Sequence, residues 1–365
     1  NVAPRIILVL TILFATNVGP ISRRLDFVRT PVNQPLPPSA APKIVKIEIE
    51  DDVKKFLNSP SFKDDKWSVR ETEMQSILDK RTTEMGLGKA RAIVVARDGY
   101  VWHGISGNMR TFDQPSLIGS LTKTFTTTLI MQLVDEGLLS LDDPVGGMGI
   151  GFKHDQITIR QLLTHTSGLS KYKPTSGPVA KGTTPMDVLR YVSEQPLRNP
   201  SGSFVDYSTS GFSVLGIILE QKTGKTFEEL LTSRITDALG YDISTFRGDY
   251  GSIGFSTGGI IMKMDDLADW TRRYFFDRST TKEKWDWSIR TTTGVGAHGY
   301  CPCRNKSFLA LGHIGGRTFA SVDGDGTVVI IDTSGILVLD NYKKTQTFAQ
   351  ELRLVAGGGK KYLYP

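Results

Sequence analysis

The chain has 365 residues, 39% of them hydrophobic and 22% charged, which is enough apolar material for a large core in one or two domains and excludes a disordered chain. The formal charge is +6, but the Lys and Arg residues are scattered and no basic run is interleaved with aromatics, so nucleic-acid binding has no support. A mildly basic surface suits an anionic polymer such as a cell wall.

At the N-terminus, Arg5 precedes the apolar run IILVLTILFA (6–15), followed by Arg23 and Arg24. The run is short for a membrane span and fits the core of an export signal, so residues 1–28 are expected to direct secretion or periplasmic export, with a short membrane anchor as the alternative. Residues 29–43, RTPVNQPLPPSAAPK, read as a Pro-rich linker. KIVKIEIE (43–50) is strand-like, and RETEMQSILDKRTTEM (70–85) predicts a helix. ARAIVVARDGYVWHGISGNM (90–109) has the pattern of a hairpin turning at Arg97-Asp98-Gly99. Helices are predicted over 120–138, 157–166, 183–194, 209–223 and 226–239. Strand-rich segments with Asp-Gly turns occupy 311–340, and TQTFAQELRLVA (345–356) predicts a closing helix. Strands, a block of helices, then strands again imply an α+β fold: an antiparallel sheet built from both chain ends, flanked by the terminal helices, with an all-helical part inserted. The folded body is expected over 44–357, its sheet part about 44–118 and 257–357 and its helical part about 119–256.

Ser-x-x-Lys occurs three times, at Ser120/Lys123, Ser170/Lys173 and Ser279/Lys282. The last two lie in stretches that read as loop. Ser120 opens a helix, where positions i and i+3 share a face and the dipole favours an attacking oxygen and a developing oxyanion. A nucleophile also needs a base and a proton relay. Tyr207, in DYSTSGFSVLG, stands in a polar turn before an apolar helix. The five histidines (103, 154, 165, 298 and 313) show no metal-binding spacing, and His165 in LLTHTSGL is read as serving a turn. The one literal Gly-x-Ser-x-Gly, GFSTG (254–258), follows no predicted strand and so does not suggest a Ser-His-Asp hydrolase. Cys301 and Cys303 flank Pro302, too close for an unstrained disulfide, and read as buried or free thiols.

Taken together, GSLTKTFTTTLIMQLVDEGLLSLDDPV (119–145), ITIRQLLTHTSGL (157–169), YSTSGFSVLGIILEQKTGKTFEELL (207–231) and GHIGG (312–316) resemble the class C serine β-lactamases, D-alanyl-D-alanine carboxypeptidases, D-aminopeptidases and related esterases. The resemblance covers about 88–340 and implies the β-lactamase/transpeptidase-like fold, a Ser120 nucleophile, Lys123 as proton acceptor or electrostatic partner, and Tyr207 as relay. That family's third motif is Lys-Thr-Gly or His-x-Gly. The literal Lys222-Thr223-Gly224 falls between two helices, where Gly224 is better explained as a helix C-cap. His313 with Gly315 and Gly316, on a predicted strand, is the better match. By resemblance His313 orients the relay or a substrate carboxylate, and the N–H groups of Ser120 and Gly316 form the oxyanion hole. Burial disfavours an ammonium and a nearby cation eases loss of a phenolic proton, so a lysine or a tyrosine can act as base near neutral pH; the choice stays open.

One departure concerns Tyr-x-Asn, whose third position here is Thr209. A threonine offers one hydroxyl where asparagine offers an amide donor and an acceptor, which favours esters over peptides and β-lactams. The implied activity is hydrolysis through a Ser120 acyl-enzyme of small-molecule or peptide substrates, including cell-wall peptide, with no metal or other cofactor. The alternatives are a carboxylesterase of the same fold and a non-catalytic wall-binding or scaffolding descendant.

Overall fold

The computed structural model describes residues 67–109, 111–171, 184–245, 255–277, 307–311, 318–323, 326–333 and 342–357. The expected export signal or anchor (1–28), the linker (29–43), the strand at 43–50 and both cysteines lie outside them.

Helix α1 (Trp67–Glu84) leads into β1 (Lys89–Val95) and β2 (Val101–Gly107). The five central residues of KARAIVV are all buried, as a strand covered on both faces requires, whereas β2 alternates buried and exposed positions. Their places agree: in the five-stranded sheet β2-β1-β8-β7-β6, β1 is internal and β2 is an edge. The other strands come from the far end of the chain, β6 (Ser307–Leu311), β7 (Thr318–Asp323) and β8 (Val328–Thr333), and every pairing is antiparallel. Joining β1 to β8 aligns Arg91 with Asp332 and brings the two chain ends into one sheet.

One sheet face is covered by α1 and the last helix, α8 (Tyr342–Ala356), through Met74, Leu78, Phe348 and Leu352 packed on Val94, Phe319 and Ile331. A buried ion pair joins the two helices, with Arg81 Nη2 2.6 Å from Glu351 Oε1. The larger apolar cluster, on the other side, joins Ile93 and Ile330 to the helical residues.

That helical part contains α2 (Thr122–Asp135), α3 (Ile159–Leu163), α4 (Pro185–Glu194), α5 (Thr209–Thr223) and α6 (Phe227–Leu231). Thr158, Thr184 and Thr226 start α3, α4 and α6 with reciprocal capping boxes, which satisfy N–H groups that a helix start otherwise leaves open. Helix α2 is buried on almost every side, from Thr122 through Met131. Its threonines are accommodated by bonding: Thr127 and Thr128 donate back to the carbonyls of Lys123 and Thr124, and Thr124 Oγ1 accepts from Trp270 Nε1 at 2.8 Å.

Three features depart from the sequence reading. A small antiparallel sheet, β3 (Ser116–Leu117), β5 (Ile260–Met262) and β4 (Ile243–Thr245), lies at the base of the helical part, with strands too short to carry a period-two pattern. Helix α7 (Met264–Arg272) lies in the stretch assigned to the sheet part, where no helix is predicted, and packs Trp270 against Phe125 at 3.9 Å between ring centroids. The helix predicted over 120–138 is a 3₁₀ turn at Gly119–Leu121 followed by α2, which stops at Asp135.

Candidate active site

Strand β3 delivers the chain to Ser120. A buried network fixes its start: Arg91 donates to Asp332 Oδ2 at 3.0 Å, to the Phe112 carbonyl at 2.5 Å and to Ser116 Oγ, while Ser116 itself donates to Asp332 at 2.7 Å. Thr318 Oγ1 donates to the other Asp332 oxygen at 3.0 Å, so strands β1, β7 and β8 of the main sheet and β3 of the small one share one carboxylate. Ile118 N–H bonds to the Ile260 carbonyl at 2.9 Å, and Gly119, with φ 58°, turns the chain into the 3₁₀ turn. That left-handed conformation suits a residue without a Cβ.

Lys123 lies one turn beyond Ser120 and is fully buried. Its Nζ is 3.0 Å from Ser120 Oγ and 2.7 Å from the Thr257 carbonyl, which accepts a hydrogen bond from it. The rings of Tyr207 and Phe212 lie 5.2 and 5.7 Å from the same nitrogen. Among the described residues no carboxylate neutralises it, so a carbonyl dipole, a hydroxyl and two ring faces replace water around the amine.

Tyr207 is the residue just before the N-cap of α5, Ser208, whose side chain accepts from Gly211 N–H. The Tyr207 hydroxyl donates to Ser120 Oγ at 2.8 Å. Ser120, Lys123 and Tyr207, drawn from two helix starts 87 residues apart, therefore meet at one oxygen. Thr209 opens α5 half-buried, two residues on.

The literal Lys222-Thr223-Gly224 closes α5: Gly224 has φ 67° and its N–H bonds to the Glu220 carbonyl, a left-handed C-cap as the sequence implied. Ser170 bonds to the Pro196 carbonyl in a loop. His313, Gly315 and Gly316 lie outside the described residues, as do Lys173 and the Ser279/Lys282 pair.

Two participants escaped the sequence reading. Thr257 contributes a main-chain carbonyl, which no side-chain pattern could reveal. It sits in a 3₁₀ turn, Phe255–Thr257, that Thr126 Oγ1 holds through the Ser256 carbonyl at 2.6 Å and that Ser256 Oγ ties to Phe212 O at 2.8 Å. His165 was assigned only a turn. It does turn the chain, with φ 57°, but it is also 1% exposed, and its Nδ1 accepts the Ser208 N–H at 3.1 Å. Burial first, then the nearby Lys123 charge, holds its pKa down at about 3, so the ring is neutral.

An antiparallel sheet closed by both chain ends, with a helical part that presents a buried serine-lysine turn, places the chain in the β-lactamase/transpeptidase-like class of α+β folds. Residues 84–339, more than half of the chain, match the family described as Beta-lactamase, and the chain belongs to that family of serine hydrolases. Among curated proteins it is 28% identical over 200 residues to the D-alanyl-D-alanine-carboxypeptidase/endopeptidase AmpH of Escherichia coli (strain K12), covering 46% of this chain and 51% of that one. It is 32% identical over 176 residues to Penicillin-binding protein 4 of Amycolatopsis lactamdurans, covering 44% and 45%. The chain spans about half the length of the curated relatives it matches. Among solved structures, D-amino acid amidase from Ochrobactrum anthropi SV3 superposes with a TM-score of 0.62 at 20% identity, over 78% of this chain and 98% of that one.

Proposed function

We propose that the chain is a serine hydrolase that forms an acyl-enzyme on Ser120, acting on peptide, β-lactam or ester carbonyls in the manner of a D-alanyl-D-alanine carboxypeptidase or β-lactamase. The observation that carries this reading is the convergence of Lys123 Nζ and Tyr207 OH on Ser120 Oγ, at 3.0 and 2.8 Å. Two proton-handling groups within hydrogen-bond reach of one hydroxyl are what a nucleophile and a relay require.

In the proposed sequence, Ser120 Oγ bonds to the carbonyl carbon and gives its proton to Lys123 or Tyr207. The carbonyl electrons move onto oxygen, for which the family resemblance supplies the N–H groups of Ser120 and Gly316 as donors. The bond to the leaving nitrogen or oxygen then breaks as that atom takes a proton through Tyr207. Water, deprotonated by the same pair, releases the acyl group and restores the serine. Thr318, two residues past Gly316, has its Oγ1 3.5 Å from the carbonyl oxygen of Leu117, three residues before Ser120, which supports the assignment of His313, Gly315 and Gly316 to the third motif.

Relatives named as a carboxypeptidase and a D-amino acid amidase support an amide or peptide substrate, cell-wall peptide included. Thr209 favours the second reading, a carboxylesterase, because a single hydroxyl replaces the amide of the family's asparagine. Intact-mass measurement after mixing with a penicillin, and separately with a short-chain activated ester, distinguishes them, with Ser120→Ala as control. A persistent penicillin-sized adduct that needs Ser120 supports the peptidase. Ester turnover that needs Ser120, without that adduct, supports the esterase. A chain inert to both is the non-catalytic descendant, and the proposal fails.

A further inference from the structure

Among the described residues other than glycine, only His165 and Phe255 have positive φ, 57° and 56°. Such conformations cost on the order of 1–3 kcal/mol and persist where the surroundings over-determine them. Phe255 starts the turn whose Thr257 carbonyl holds Lys123. His165 stands beside Tyr207, and more than its backbone is committed there. Its carbonyl accepts the Asp206 N–H at 2.8 Å, its Nδ1 accepts the Ser208 N–H at 3.1 Å, and its ring lies tilted against the Tyr207 ring at 4.6 Å between centroids. The residues on either side of Tyr207 are thus both tethered to one histidine. The loop around it extends the grip, since the carbonyls of Thr166 and Gly168 accept the N–H groups of Gly202 and Arg198.

The imidazole is an odd choice for packing alone. With Nδ1 accepting, the ring proton sits on Nε2, and that atom is buried with no hydrogen-bond partner among the described residues. A buried donor left unpaired costs about 1–3 kcal/mol. A phenylalanine would fill the space without that cost, yet would leave the Ser208 N–H without its acceptor. Protonation would set a third cation beside Lys123 and Lys171, the charges that bear on this ring, while Tyr207 and Phe212 offer it only ring contacts.

We propose that His165 is a positioning residue for the reaction: as a neutral acceptor with left-handed backbone, it anchors the chain on both sides of Tyr207 and so aims the phenol at Ser120. The inference rests on the reading of Ser120 and Tyr207 given above. It predicts that what matters is the acceptor and the backbone conformation. Asparagine supplies both, because its Oδ1 hangs from Cγ as Nδ1 does and it tolerates positive φ.

The test uses the full chain and the activated ester, comparing His165→Asn, His165→Phe and His165→Ala with Ser120→Ala and Tyr207→Phe. His165→Asn is expected to keep kcat within about threefold, whereas His165→Phe and His165→Ala lose roughly 10- to 100-fold in kcat with KM nearly unchanged, the scale of a misplaced catalytic group. Nitrogen-15 NMR of the histidine-labelled wild-type chain, with His165 assigned by its absence in His165→Asn, should show the neutral Nε2–H tautomer from pH 8 down to pH 5. Either an Nδ1–H tautomer or a charged ring in that range overturns the proposal, whatever the variants do. Equal kcat for His165→Phe and wild type, while Tyr207→Phe collapses, overturns it too and leaves the Tyr207 reading intact. If Tyr207→Phe itself is fully active, or the wild type is inert, the reading of the site fails and the inference falls with it.

Discussion

Lowering the pH from 7 to 5 should destabilise the folded chain through His165 by an amount the structure sets. A histidine in the unfolded chain titrates near 6.5, whereas in the fold burial beside Lys123 holds the group at about 3. Above 6.5 the ring is neutral in both states and its contribution is fully present. Between the two values the unfolded chain takes up a proton that the folded chain refuses, so stability falls as pH falls and levels off below about 3. At pH 5 the unfolded ring is 1.5 units below its own pKa, which at about 1.4 kcal/mol per unit comes to about 2 kcal/mol. That figure does not depend on the folded pKa once it lies well below 5. To isolate His165 the measurement is a difference of differences: urea unfolding of wild type and His165→Asn at pH 7, 6 and 5, followed by tryptophan fluorescence. The wild type should lose about 2 kcal/mol more than the variant over this interval. Parallel pH dependences in the two proteins would refute the reasoning, because they would mean that the ring in the fold accepts a proton as readily as in water.

Removing the Tyr207 hydroxyl with Tyr207→Phe should lower kcat for the activated ester by at least about 10²-fold, the usual weight of a positioned proton-transfer group, while thermal unfolding stays close to wild type. Gly216→Ala tests the support of Lys123: a Cβ there would overlap both the Phe255 ring and Ser256 Oγ, in the turn that carries Thr257. Overpacking of this kind costs roughly 1–3 kcal/mol, so urea unfolding should show that loss, and ester kcat should fall with it as the carbonyl moves off the amine. Glu351→Gln breaks the buried pair with Arg81, whose partners are 8% and 1% exposed, and should cost about 3–5 kcal/mol in the same assay without altering KM. Replacing the pair together, as Arg81→Met with Glu351→Leu, should recover much of that loss, which a double-mutant cycle measures.

Much of the candidate site was legible because its chemistry sits at helix starts. Ser120 and Lys123 are one turn apart in the same segment, so their proximity is a local fact of helical geometry. Tyr207 could be placed before α5 because the apolar run after it is long, and Gly224 could be recognised as the end of that helix for the same reason. The short strands β3, β4 and β5 were not legible, since two or three residues carry no periodicity. Neither was α7, although Met264, Leu267, Ala268 and Trp270 are buried at helical spacing, because nine residues carry only about two turns of that pattern.

By itself the sequence determined the local elements, the antiparallel sheet joined from both ends, and the identity of three groups able to handle a proton. Only the tertiary structure decided that Tyr207 reaches across 87 residues to Ser120, that the Thr257 carbonyl holds Lys123, and that His165 braces the tyrosine. The division has a physical cause. Helix and strand patterns report which face of a segment avoids water, and that is encoded residue by residue. A main-chain carbonyl aimed at an amine, or a ring nitrogen aimed at an N–H, is fixed by how packed segments cross, and a main-chain group carries no mark of that in the side chain beside it.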